Sequence, residues 1–399
     1  MGGSVTVGAV RGGLLCRKRW FGSFHPMKRS QFAPLSRRTF IGRFALGAAA
    51  VSFPSLSLRG ATAKPKKLGL ALIGLGNYSD KELGPALKET EFVRLSGVVT
   101  GTRAKGEKWA ADYGFSEKNI YDYTTMDRLA DNPEIDLVYV VTPPGLHAEH
   151  SIRSSKAGKH VICEKPMANT VVECDAMLAA SRAAKRALAI GYRLHYDPYH
   201  MELMRLAREN EFGPFMKMNS LRAFKIGLRN GVKPWRVNAA LAGGGALMDV
   251  GIYANHAAWM ATGAVPVSVT AQEEPKVRPE FFNEVEETLN YKLEFANGAT
   301  CDVMSSYERS GNTFRAEAER GWFELNPAFS YRGLKGATSK GPLNYPPLRQ
   351  QAKHMDAIAK SLIDGTTLPT PGELGRSDMT VIEAIYAAAK SGKRERVKA

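Results

Sequence analysis

Apolar residues come in two rhythms along this chain. Through residue 191 they gather in short, mostly apolar runs, at 68–73, 92–99, 136–141, 160–163 and 188–191, with a shorter run near Ile120 and helical periodicity between them. Mostly apolar runs of that length suit strands buried on both faces, and their alternation with helices predicts right-handed βαβ units on a parallel sheet. Beyond about Asn210 strand follows strand, at 215–225, 266–273, 285–295, 299–307, 313–319 and 321–325, joined by turn residues such as Ala296-Asn297-Gly298. That succession predicts a second, mainly antiparallel domain. One helix, about 246–262, interrupts it, two more close the chain at about 348–364 and 376–391, and 331–347 reads as a long loop.

The first strand runs straight into Gly74-Leu75-Gly76-Asn77-Tyr78-Ser79 and a helix through about Thr90. Strand, glycine turn and helix in this order are the setting of a Rossmann dinucleotide fingerprint. The glycines bring backbone close to a pyrophosphate, and the helix N-terminus favours its charge. Ser79 stands where a third glycine or alanine belongs, so a purely structural turn is the competing reading. Enzymes using NAD place an acid after the second strand, on the ribose 2′-hydroxyl. Here Thr100-Gly101-Thr102-Arg103-Ala104-Lys105 offers hydroxyls and two cations instead. That set suits a 2′-phosphate and predicts NADP; the alternative is that Arg103 and Lys105 merely open the next helix. The fold class is thus α/β, with a Rossmann dinucleotide-binding domain over 64–192 and an α+β domain with an open sheet over 193–399.

Chemistry concentrates past the strand ends. In an open α/β sheet, ligands bind outside the carboxyl ends of the strands. Thr142 and Pro143 follow the fourth strand, and Glu164-Lys165-Pro166 follow the fifth, where Pro166 can take a cis bond. His147 and His150 come next to Thr142 on a helix, at a spacing that matches no common metal motif; they read as surface or helix-start residues, and no metal site is expected. On the helix at 246–262, Asp249, Tyr253 and His256 stand at offsets of four and seven, which puts them on one face of an otherwise apolar helix. The face is either a structural network or a wall of the cleft opposite Lys165.

Composition changes the picture mainly at the start of the chain. The formal net charge is +16, but residues 1–63 hold ten Lys or Arg and no acid, leaving 45 basic and 39 acidic residues beyond them. The remaining +6 calls for no nucleic acid. Ser36-Arg37-Arg38-Thr39-Phe40-Ile41, the modest apolar stretch 44–51 and Ala61-Thr62-Ala63 form a twin-arginine export signal with a cleavage site after Ala63, too short in its apolar part to span a bilayer. A disordered basic tail or a transit peptide is the other reading. The expectation is a periplasmic protein that engages the twin-arginine machinery without stable membrane insertion. Cys163, Cys174 and Cys301 form neither a disulfide framework nor a zinc spacing and read as buried hydrophobes.

These motifs resemble the Gfo/Idh/MocA oxidoreductase family, and within it the glucose-fructose oxidoreductase branch. The resemblance covers most of 68–395 and rests on GLGNYS (74–79), IYDYTT (120–125), LHAEHSIRSSKAGKHVICEKPMA (146–168), IGYRLHYDP (190–198), PWR (234–236), LAGGGALMDVGIYANH (241–256) and PGELG (371–375). It implies that Lys165, Asp249 and Tyr253 surround the sugar carbon that exchanges hydride with nicotinamide. The cofactor set it suggests is Gly74, Gly76, Asn77, Tyr78, Thr100, Gly101, Arg103, Lys105, Thr142, Pro143, His147, Glu164, Lys165, Arg193, Trp235 and Arg236. Lys165, Tyr196, Asp249, Tyr253 and His256 would face the sugar. A dimer or tetramer is expected by resemblance alone.

Oxidising a sugar hydroxyl needs a base, and a phenol with an ordinary pKa near 10 becomes one beside an ammonium. An exported enzyme has no supply of free nucleotide, so the expectation is tightly bound NADP. One sugar would be oxidised to its lactone and a second reduced in turn. The alternatives are a dehydrogenase with exchangeable NAD(P) acting on sugars or polyols, and an NAD-dependent glycosidase of the same family; a non-catalytic sensor is disfavoured by Lys165, Asp249 and Tyr253 occurring together.

Overall fold

The computed structural model describes residues 67–398, so the leader read at 1–63 lies outside the described residues. Six strands, β1 (Leu68–Ile73), β2 (Val93–Val99), β3 (Ile120–Tyr121), β4 (Leu137–Val140), β5 (His160–Cys163) and β6 (Leu188–Ile190), form one parallel sheet in the order β3-β2-β1-β4-β5-β6. Every residue of β1 and β4 is buried, as their unbroken apolar runs require. Helices α1 (Gly84–Leu87), α2 (Arg103–Tyr113), α3 (His147–Lys156) and α4 (Val171–Ala183) cross between the strands. The order reverses between β1 and β4, and the crevice opens there.

The first helix ends at Leu87 rather than near Thr90, because the Thr90 hydroxyl turns back onto the Leu87 carbonyl at 2.8 Å. At α4 the Thr170 side chain and Glu173 form a reciprocal cap that fixes the start.

The second part is a nine-stranded sheet. Its strands are β7 (Lys217–Ala223), β8 (Ser268–Glu273), β9 (Thr288–Glu294), β10 (Thr300–Ser306), β11 (Gly311–Ala318), β12 (Gly321–Leu325), β13 (Gly336–Thr338), β14 (Gly341–Leu343) and β15 (Glu395–Arg396), in the order β14-β13-β12-β11-β7-β10-β9-β8-β15. It is mixed: β7 and β10 run parallel, with Ala223 opposite Ser306, and the other pairs are antiparallel. The segment expected as a loop at 331–347 contains the β13–β14 hairpin. Burial alternates along β9 and β10, so one face is covered. Helices α5 (Pro198–Arg208), α6 (Ala239–Ala242), α7 (Ile252–Thr262), α8 (Gln350–Asp364) and α9 (Gly372–Ser391) complete the fold.

Two cores tie the halves together. One runs from Val138 and Val161 through Leu203 and Met260 to Phe314 and Ile385. In the other, Met355 and Ile358 of α8 join Leu70, Val98 and Trp109, so a helix from the C-terminal part covers one face of the parallel sheet. The Asp356 carboxylate on that helix accepts the backbone N–H of Glu91 and Phe92 at 2.9–3.0 Å, locking α8 to the entry of β2. This ties the C-terminal part of the chain to the parallel sheet.

Candidate active site

A cavity of about 560 Å³ lies at the carboxyl ends of β4 and β5. Tyr78 enters it from the glycine turn, Thr142 and Pro144 from beyond β4, and Glu164, Lys165 and Pro166 from beyond β5. The Lys165–Pro166 bond is cis. The facing wall comes from Trp235 and Arg236, from Met248 to Tyr253, and from Tyr307.

Two glycines shape that wall. Gly243 has φ +74°, and a Cβ on Gly245 would stand 2.0 Å from the Glu286 carbonyl oxygen, so a larger residue is excluded. The buried Glu286 carboxylate accepts the N–H of Gly245 at 2.8 Å and of Leu247 at 2.9 Å, fixing where the helix begins. Leu247–Gly251 then wind as a wide π-turn before α7. Asp249 sits in this turn, and Tyr253 follows at the start of α7.

Lys165 Nζ donates to the Asp249 backbone carbonyl at 2.7 Å and lies 3.6 Å from its Oδ1 and 4.5 Å from the centroid of the Tyr253 ring. Asp249 Oδ2 accepts from Arg236 Nε at 2.8 Å and from the Tyr307 hydroxyl at 3.0 Å. Arg193 is buried; its terminal nitrogens donate to the Phe329 carbonyl at 2.6 Å, the Ser330 carbonyl at 3.1 Å and the Gln350 side chain. Its guanidinium carbon stands 5.0 Å from the Tyr253 ring and 4.4 Å from the Tyr331 ring.

The electrostatics separate the groups. Burial alone would raise the Tyr253 phenol, but Arg193 and Lys165 outweigh it and bring it below its ordinary value. Burial also opposes the Asp249 charge, yet Arg236 and then Lys165 hold that carboxyl well below the usual range. Glu164 goes the other way: burial raises it, against the bond it accepts from the Tyr139 hydroxyl at 2.5 Å and against Lys165. A phenol disposed to lose its proton, an ammonium beside it and a fixed carboxylate behind are the groups needed to take a proton from a hydroxyl.

The glycine turn fits a nicotinamide dinucleotide. Gly74 has φ +98°, and a Cβ there would press on the Val141 carbonyl at 3.2 Å and the Thr142 nitrogen at 3.3 Å. Nothing lies within 4 Å of a Cβ on Gly76, so its backbone faces the open space a pyrophosphate needs. Ser79, at the third fingerprint position, is buried and donates its hydroxyl to the Gly74 carbonyl at 2.6 Å; the serine closes the turn. Asn77 is exposed beside this turn and accepts from Arg229 at 2.8 Å.

Several sequence expectations need correcting. His147 and His150 do open α3, as expected of helix-start residues, but both are buried rather than on the surface. His147 lines the cavity with its ring nitrogens 2.7 Å from the Thr142 carbonyl and 2.9 Å from the Pro166 carbonyl, bracing the ends of β4 and β5. Pro144, not Pro143, lines the cavity. Tyr196 lies outside it, with its hydroxyl 3.2 Å from Thr370 Oγ1 and its ring beside His354. His256 is also outside, stacked on Tyr192 at 4.1 Å with Nδ1 3.3 Å from Asp378. Three residues past Tyr253 leave a side chain about 60° short of a full turn and about 4.5 Å along the axis, which carries His256 behind the cleft.

Thr100, Gly101, Arg103 and Lys105 stand past the end of β2, outside the cavity. Arg103 and Lys105 are exposed in the first turn of α2, and Arg103 pairs with Glu107 at 2.9 Å and Glu117 at 3.4 Å. Sequence reasoning missed Arg222, Phe224, Tyr307 and 329–332, which line the cavity, and Gln350 behind Arg193. Among the described residues there is no cluster able to hold a metal ion, and no helix is long and apolar enough to cross a membrane.

Residues 68–192 match the family model described as "Oxidoreductase family, NAD-binding Rossmann fold", and 200–324 match the "GFO/IDH/MocA C-terminal domain". The chain is similar to the aldose-aldose oxidoreductase from Caulobacter crescentus, whose crystal structure was solved with glycerol: 40% identity, 83% of this chain and 100% of that one covered, TM-score 0.80. It is 26% identical to the NADP-linked D-xylose 1-dehydrogenase of Haloarcula marismortui, over 83% of this chain and 93% of that one. It is likewise 26% identical to the D-glucoside 3-dehydrogenase of Escherichia coli, over 82% and 97%.

Proposed function

We propose that this chain, which belongs to the Gfo/Idh/MocA oxidoreductase family, is an exported sugar oxidoreductase that oxidises an aldose to its lactone and reduces a second sugar in the same cleft around retained NADP. The observation that carries this reading is Tyr253, held below its ordinary pKa between Lys165 and Arg193 at the mouth of a dinucleotide cradle.

Gly74, Gly76 and Tyr78 would hold the nucleotide's pyrophosphate and nicotinamide ends, and the residues after β2 its adenosine ribose. Bound there, the nucleotide supplies the acceptor and donor of hydride. The chain's own residues handle the proton. Tyr253 accepts it from the sugar hydroxyl during oxidation and returns it to the second sugar's oxygen during reduction. Lys165 steadies the oxygen as charge builds on it. Asp249, kept ionised by Arg236 and Lys165, holds the lysine and orients sugar hydroxyls. Absence of an acid in 100–105 and the similarity to an NADP-linked relative support NADP. The twin-arginine leader supports periplasmic export, and folding around the nucleotide before export supports its retention. A homo-oligomer is part of the same proposal.

The test is to purify the mature protein without added nucleotide, record absorbance near 340 nm, and add glucose and then fructose. A rise followed by a fall is expected. If no nucleotide accompanies the protein and turnover requires added NAD(P), the chain is an exchangeable dehydrogenase and the export argument fails. Activity on a chromogenic glycoside instead would make it a glycosidase.

A further inference from the structure

The cavity wall is more cationic than a neutral sugar requires. Lys165, Arg193, Arg222, Arg236 and Arg332 line it, against the carboxyls of Glu164 and Asp249. Four of these cations are answered. Lys165 and Arg236 share Asp249, Arg332 pairs with Glu82 at 2.9 Å, and Arg193 gives its terminal nitrogens to two carbonyls and to Gln350.

Arg222 is different. It stands near the end of β7, half-buried, and its side chain makes neither an ion pair nor a hydrogen bond to any described residue. Its Nε is buried without a partner, and the guanidinium lies 5.8 Å from the centroid of the Phe224 ring. The terminal nitrogens are not among the buried unpartnered atoms, and the residue lines the cavity. Among the groups that act on it are Tyr253, Arg193, Asp249 and Tyr331; Asp249 is already shared by Arg236 and Lys165, and Arg193 repels it. A guanidinium partly withdrawn from water beside a second guanidinium, with no carboxylate of its own, gains a favourable partner when an anion arrives. Its planar fork matches a carboxylate bidentately.

We propose that Arg222 recognises a carboxylate on the substrate, so that one sugar taken by this enzyme is a uronic acid, an aldose bearing a carboxylate away from its reacting carbon. The proposal rests on the sugar-oxidoreductase reading above and narrows its substrate. In the oxidation the C1–H bond breaks and its electron pair leaves with the hydride to the bound nucleotide. The O1 proton passes to Tyr253 and the C1–O1 double bond forms. The carboxylate at the far end is unchanged and remains on Arg222.

D-Glucose and D-glucuronate share one ring and differ at C6, which makes them the test pair for the holoenzyme. The wild type should show a KM for glucuronate at least tenfold below that for glucose, and only the glucuronate KM should climb with added NaCl. In Arg222→Met the ratio of the two KM values should collapse towards one, with Arg222→Lys between, while circular dichroism and retained nucleotide show that the variants fold. Equal KM values in the wild type, or a ratio untouched by Arg222→Met, would overturn the proposal in favour of a guanidinium that holds sugar hydroxyls. If neither sugar changes absorbance near 340 nm, the redox reading fails on its own. Glucarate titrated against intrinsic fluorescence then decides the anion site: affinity lost in Arg222→Met supports it, and unchanged affinity sinks it.

Discussion

The Lys165 ammonium and the Tyr253 ring meet across the cleft at 4.5 Å, one delivered by the end of a parallel strand and the other by a helix of the second domain. Neither domain alone makes the pair. Arg193 approaches the same ring at 5.0 Å, so the phenol lies between two cations, which bring it below its ordinary pKa against the effect of burial.

Tyr253→Phe removes the proton acceptor and leaves the ring's packing against Phe329. Oxidation should slow by about 10²- to 10⁴-fold in kcat, the usual scale of general acid–base catalysis. Nucleotide content after purification should match the wild type. An activity loss below about threefold would mean that another group takes the proton.

Lys165→Met should move the pH dependence rather than abolish binding. Tyr253 must be deprotonated to act as base, so the oxidation rate rises with pH through its lowered pKa. Removing the ammonium lets burial raise that pKa again, so the rising limb of kcat/KM against pH should shift to higher pH. Arg193 remains, so the shift should be partial. A limb that stays in place would assign it to a different group.

The two glycines of the nucleotide turn should separate fold from binding. Gly74→Ala forces a side chain into φ +98° against the Val141 carbonyl and should cost about 1–3 kcal/mol in a denaturant titration. Gly76→Ala meets nothing within 4 Å, so the denaturant midpoint should hold. Its methyl group instead occupies the space the pyrophosphate needs, and nucleotide retention should fall. Full retention in Gly76→Ala would place the nucleotide elsewhere.

What the sequence revealed and what it hid follow from the range of the interactions. The β1–Gly74 turn and the β5–Lys165 junction were legible because one local pattern, an apolar run ending in glycine or charge, both makes the strand and places the residue. Arg222 and Tyr307 were not. They come together at one end of the sheet because β7 and β10 pair in parallel although β8 and β9 intervene in the chain, and nothing local to either strand encodes that neighbour. Tyr331 and Arg332 reach the cavity from the connection after β12, which carries no helical or strand period. His256 was misplaced because spacing on a helix gives its face, not where along the axis the cleft ends.

Acid should destabilise this fold through histidines that no function needs charged. Burial lowers His147 to about 4 and His195 and His354 to about 3, and it lowers His200 as well. All are neutral in the folded state at neutral pH, while in the unfolded chain each binds a proton near pH 6.5. Below that value the unfolded state takes up more protons, so stability falls as pH drops from about 6.5 towards 4 and then 3, by about 1.4 kcal/mol per pH unit for each such group. Urea midpoints at pH 7, 6 and 5 should therefore decline with increasing steepness. His354→Phe keeps an aromatic ring beside Tyr139 and removes one of these protons, so its midpoints should decline less steeply than the wild type's. Parallel declines in the two proteins would show that His354 is not among the groups that set acid stability.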